Sequence, residues 1–182
     1  MSNECTTPQV DYSLLIIHYS LQITLRFMKL KAVEFSALML AALVMGVFWG
    51  TWFTLTRSIH DFSAAEFIHI GKTIIANVAL PMSIIMPLTL LLQLIAAILA
   101  RKVNRFSFNL YSASFVLMIL TLIFTVADEV PIDNQIKTWT EATVPSNWES
   151  LRLKWDQFHA LRTFTSIASV AFFVWGLMKR IR

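Results

Sequence analysis

Four long apolar runs divide the chain. The first is Val33 to Thr56, VEFSALMLAALVMGVFWGTWFTLT. The second is Thr73 to Ala100, rich in Ile, Leu and Met. The third is Phe108 to Ala127, and the fourth runs from about Leu161 to Met178. Each approaches the ~20 residues an α-helix needs to cross a bilayer. Lipid cannot satisfy open backbone groups, so spanning segments are helices or closed barrels. The alternation that a barrel requires is absent. The pattern therefore predicts an all-α fold, a bundle of four transmembrane helices over residues 31–182. Residues 1–30 are expected to be an N-terminal extension: either a peripheral, interfacial helix or sequence ahead of a natural start at Met28. They make a poor signal peptide, with no basic n-region and no small-residue cleavage site.

Polar residues break the pattern at one end of every run. Residues three and four apart share a helix face. Arg152, Asp156, His159, Thr163 and Ser166 follow that spacing into the fourth run. The fourth helix is thus expected to begin near Asn147 or Trp148 and to project beyond the bilayer. His69, Thr73 and Asn77 repeat the spacing on the second helix. Thr121, Thr125 and Asp128 do so on the third, with Glu129 beside them, and Gly50, Thr54 and Arg57 on the first. The opposite halves carry no comparable stripes. Charge at membrane depth is costly and normally faces a bundle interior or a wet cavity. The expectation is one polar pocket at the outer helix ends, with His159 and Arg162 near its floor. The competing reading is interhelical glue and interfacial anchoring.

Charge placement sets the expected orientation. Arg26, Lys29 and Lys31 precede the first span. Arg101, Lys102 and Arg105 join the second and third, and Lys179, Arg180 and Arg182 follow the fourth. By the positive-inside rule both termini are cytoplasmic, and the two long loops, Arg57 to Lys72 and Asp128 to about Ala160, face outward. A bacterial inner (plasma) membrane is the expected location. The net charge of +4 is thereby a topology signal and gives no support for nucleic-acid binding. Composition agrees: 57% of residues are apolar and 14% charged, where a soluble domain has about a quarter charged. Cys5 is alone, which excludes an internal disulfide.

Smaller features refine this picture. Gly46 and Gly50 form a GxxxG pattern that permits close helix approach inside the bundle. Pro81 and Pro87 remove backbone donors and are expected to kink the second helix. Trp49, Trp52, Trp139, Trp148 and Trp155 read mainly as an interfacial belt, with a wall for an aromatic ligand as the lesser reading. No cofactor is expected, and no metal ligands are assigned. A haem or transition metal at His69 and His159 is a minor alternative, since no HExxH, CxxCH or repeated Glu-x-x-His spacing occurs.

FWGTWFTLTRSIHDFSAAEFIHIGKTIIANVALPMSIIMP, then VPIDNQI, then KWDQFHALRT resemble the anthrone oxygenase-like family of small four-helix membrane proteins. The similarity runs from about Lys31 to Lys179. Its strongest motif is Trp155-(x3)-His159-(x2)-Arg162-Thr163, preceded by Pro131 and Asn134. The resemblance implies a cofactor-free oxygenase acting on anthrone-like or other aromatic, quinone-type molecules. His159 and Arg162 are the expected catalytic residues: His159 as base or hydrogen-bond donor, Arg162 at an oxyanion or enolate. Arg57, His69, Asn77, Asp128, Asn134, Trp155 and Asp156 are the expected substrate-binding residues, with Trp155 and Trp52 stacking on a flat ring. Partners would be the lipid bilayer, a small aromatic ligand and other membrane proteins. The alternative function is a non-enzymatic accessory subunit of a membrane complex.

Overall fold

The structure, a computed structural model, describes residues 12–181. Among them are five α-helices: α1 Tyr12–Thr54, α2 Ala64–Ala100, α3 Arg105–Phe124, α4 Val130–Thr138 and α5 Trp148–Ile181. A 3-10 turn, Thr56–Asp61, follows α1, and a π-helical turn, Thr125–Glu129, joins α3 to the short α4. Four helical segments are long and apolar enough to cross a membrane, the third made of α3 and its continuation through α4. The all-α, four-span expectation is met. The first helix is longer than its apolar run suggests, since α1 continues unbroken back to Tyr12 through part of the presumed extension.

Local sequence sets the helix ends. Ser63 and Glu66 make a reciprocal capping box at the start of α2, with Glu66 Oε2 accepting from Ser63 N at 2.8 Å. This satisfies donors that the first turn leaves open. Asn104 caps α3 by accepting from the backbone of Phe106 and Ser107. It also donates to the Lys179 carbonyl near the end of α5. The tight connection from α2 to α3 fixes those helices as neighbours at the basic end.

The helices form a ring in which α1 packs on α2 and α5, and α3 packs on α2 and α5. At the basic end Ala37, Ala96, Ala97 and Ala100 let the backbones approach around Tyr111 and Phe173. Val44, Phe48, Met82, Met86 and Met118 fill the middle. The far end is capped by Ile59, Phe67, Ile132, Ile136, Trp139 and Trp155. Phe35, Leu80, Ile84 and Val116 point outward and are more than half exposed, the arrangement a lipid-facing surface requires.

Polar groups lie inside this ring at every level, including the half that carries no polar stripes. Glu34 is buried at the basic end, ion-paired with Arg180 and accepting from the Tyr111 hydroxyl at 2.7 Å. At mid-depth Gln93 donates to Ser114 and Ser169. These residues sit singly in apolar runs, so spacing alone does not reveal them. The Gly46 and Gly50 pair does not mediate close packing: no side chain or neighbouring helix comes within 4 Å of a Cβ placed at either. Gly176 does, since a Cβ there would lie 2.5 Å from Tyr111 Cε1.

Candidate functional site: a lateral cavity beside the Arg162 cluster

Helices α2 and α5 take different paths between shared contacts. Phe67 meets Trp155, with ring centroids 6.4 Å apart, and Gln93 meets Ser169. Between these contacts α5 uses about 14 residues, roughly 21 Å of helix, and α2 about 26, roughly 39 Å. The stretch of α2 between the two contacts is thus the longer one. Pro81 and Pro87 lie within it, each without the N–H that would bond one turn back.

Beneath this segment is a cavity of about 380 Å³, within the size range of small-molecule sites. Its walls are mainly apolar: Phe48 from α1 and Leu55 just past its end, Ile74, Val78, Met82 and Met86 from α2, and Leu122 and Val126 from α3 and the π turn. Thr125, Asp133, Asn134, Lys137 and Arg162 supply most of its polar groups. A cavity lies here, but its lining is mainly apolar where a polar pocket was expected. The stripe on α5 is largely consumed in packing. Thr163 bonds to the His159 carbonyl and Ser166 to the Thr163 carbonyl, both fully buried.

Arg162 is the buried cation of the site. Its Nη2 lies 3.0 Å from Glu129 Oε2, and its Cζ lies 4.5 Å from the Phe48 ring centroid. Glu129 has no side-chain exposure. Neither of its oxygens has a properly directed hydrogen bond among the described residues, so the contact is an ion pair by distance and not a linear hydrogen bond. Arg162 Nε and Nη2 both reach His159 Nδ1, at 3.2 and 2.7 Å. His159 Nε2 lies 3.2 Å from the Phe48 carbonyl. A carbonyl only accepts and a guanidinium only donates. These contacts fix a neutral imidazole with its proton on Nε2. Both ring nitrogens are thus engaged, and His159 orients Arg162.

Asp133 faces the cavity from α4, where its Oδ1 accepts from Trp155 Nε1 at 3.1 Å. Trp155 in turn stacks on His159, with centroids 5.1 Å apart. The π turn carries Glu129 and α4 carries Asp133 past the end of α3, and neither element is visible as a pattern of apolar positions.

The expected site residues separate into two groups. Asn134, Trp155 and Arg162 line the cavity and His159 stands directly behind them. Arg57, His69 and Asn77 do not turn inward: all three are exposed, and Arg57 lies over the Phe53 ring. Asp128 pairs with Lys154 at 3.1 Å and Asp156 lies 3.8 Å from His60, both away from the cavity walls. The stripe on α2 fails because its cavity-facing side is Ile70, Ile74 and Val78, offset from His69, Thr73 and Asn77. Of the tryptophans, Trp139 and Trp155 are buried core residues, whereas Trp52 packs against Trp49 and Phe164. Among the described residues no cluster of three or more His, Cys, Asp or Glu is placed to hold a metal ion.

A family model described as anthrone oxygenase matches residues 73–172, more than half of the chain. The chain belongs to the anthrone oxygenase family. No curated protein and no solved structure matches it. The segment shared with the anthrone oxygenase family begins in α2 and ends in α5, so it holds Glu129, Asp133, Trp155, His159 and Arg162. Phe48 of α1 and Leu55 just after it, which also wall the cavity, lie outside that segment.

Proposed function

We propose that this anthrone oxygenase family member is a membrane-embedded oxygenase for flat, apolar, anthrone-like molecules. The observation that carries the proposal is a 380 Å³ cavity that presents one carboxylate, Asp133, and one buried guanidinium, Arg162, beside a few further polar groups in a mainly apolar lining. The Asp133 carboxylate takes the proton from the acidic ring C–H beside the keto group's conjugated system. The electron pair left behind delocalises onto the keto oxygen, and Arg162 stabilises that oxyanion. Molecular oxygen is the oxidant. A new C–O bond forms at the carbanion carbon, the resulting peroxide is protonated, and loss of water leaves the quinone. One anthrone and one O₂ give one anthraquinone and one water. His159 positions Arg162 and does not act as the base.

In this reading residues 31–182 form the catalytic membrane unit, residues 1–30 extend it, and both termini lie in the cytoplasm. The cavity then sits at the outer interface of a plasma membrane. Purified protein should convert a simple anthrone to its anthraquinone, with consumption of one O₂, above the spontaneous rate. Turnover no faster than in protein-free detergent, together with a second protein co-purifying at fixed stoichiometry, would favour an accessory subunit instead.

A further inference from the structure

The cavity wall is open on one side. Ala79 and Ser83 on α2, and Val126 and Val130 at the junction of α3 and α4, line it and are exposed. The gap is closed at both ends. Toward the outside, Ile136 of α4 packs on Gly71, 3.2 Å from the position its Cβ would take. Toward the basic end, Met82 and Met86 pack with Met118. About 20 residues of hydrocarbon core, counted from the basic residues Arg101 and Arg105, reach near Leu80 on α2 and Thr125 on α3. The opening therefore straddles the outer edge of that core, with Ser83 inside it and Ala79, Val126 and Val130 at or just past it, and its small rim residues, Ala79 and Ser83, leave width for a molecule to pass.

The interior has a direction as well. Asp133, Asn134 and Arg162 lie toward the outer end. Below them the lining is Met82, Met86, Pro87 and Leu122. On α2 the lined stretch runs from Phe67 to Pro87, roughly 30 Å of helix. A rigid fused-ring molecule occupies only part of that length. The order of polar head and apolar depth matches the outer leaflet itself, so an amphiphile could slide in sideways without turning over.

We infer that the substrate is a lipid-phase amphiphile, a ring-bearing phenol or ketone with a linear hydrocarbon tail, and that it passes between α2 and the α3–α4 junction. Its oxygenated ring lies at Arg162 and Asp133, and its tail lies along Met82, Met86 and Leu122. This rests on the oxygenase reading for the chemistry of the ring, but the tail site is a claim about binding alone.

The test uses the full chain in phospholipid nanodiscs with an alkyl-tailed hydroquinone carrying a diazirine near the end of its tail. Photolabelling should be saturable and should map to Met82, Met86 or Leu122. Ser83→Trp and Ala79→Phe narrow the opening and should each lower labelling about tenfold, as overpacking does. Leu80→Trp, on the adjacent lipid-facing surface, should leave it unchanged. A tailless anthrone is assayed for oxidation in the same samples. Unsaturable labelling, or equal labelling in all three variants, overturns the tail site even if the tailless anthrone is oxidised. Saturable labelling at the named residues with no oxidation of either molecule supports the tail site and overturns the oxygenase reading instead.

Discussion

His159 and Arg162 are joined through a single atom: both Nε and Nη2 of the guanidinium converge on imidazole Nδ1. The arrangement holds the planar cation at a fixed angle between Glu129 and the Phe48 ring. A residue that reads in the sequence as a catalytic base becomes a support for its neighbour three positions on.

Replacing His159 should therefore weaken turnover without removing it. His159→Ala deletes the acceptor that aims Arg162, and hydrogen bonds to charged groups contribute about 1.5–3 kcal/mol. Turnover should fall roughly 10- to 100-fold. His159→Asn keeps an acceptor oxygen near the Nδ1 position and should retain more activity than alanine. Equal loss in both variants would speak against a positioning role.

Arg162 and Glu129 form a buried ion pair, and breaking one side leaves the other charge unmatched. Arg162→Met should destabilise the protein by about 3–5 kcal/mol, read as a lower midpoint in thermal or denaturant unfolding. The double variant Arg162→Met with Glu129→Gln should recover most of that stability while remaining inactive. Recovery of activity in the double variant would remove Arg162 from the chemistry.

Asp133→Asn separates base from scaffold. The amide oxygen can still accept from Trp155 Nε1, so the unfolding midpoint should move little. Anthrone turnover should drop by about 10²- to 10⁴-fold, the usual contribution of a general base. A variant that turns over at the wild-type rate would assign proton removal elsewhere.

Two glycines make an internally controlled comparison. Gly176→Ala drives a methyl group into the Tyr111 ring, which stacks on Phe173 with centroids 4.5 Å apart. It should cost about 1–3 kcal/mol. Gly46→Ala meets nothing within 4 Å and should be neutral or stabilising, since Ala is favoured over Gly in a helix by up to about 1 kcal/mol. The unfolding midpoints of the two variants should move in opposite directions or by clearly different amounts.

The spans were legible in the sequence because exclusion of charge from lipid is a strong, local signal, and α5 begins at Trp148 where its stripe predicted. The cavity was legible only in part. Spacing on α5 put His159 and Arg162 on one helix face, where the two side chains touch. On α2 it turned His69 and Asn77 toward the pocket, whereas both are exposed, since periodicity identifies a polar face without saying whether that face meets protein or surroundings. It passed over Asp133 as a site residue, whose position depends on the π turn at Thr125–Glu129. An inserted residue of that kind shifts every later side chain around the helix axis, and no pattern of apolar positions announces it.

Glu34 and Arg180 tie the first helix to the last. In the order of synthesis, Glu34 reaches the bilayer three spans before its partner exists. Until α5 is in place, a carboxylate near the start of the chain has no matching cation, and Tyr111 offers it only a neutral hydrogen bond. The ion pair that closes the basic end is thus completed only when the last helix packs against the first.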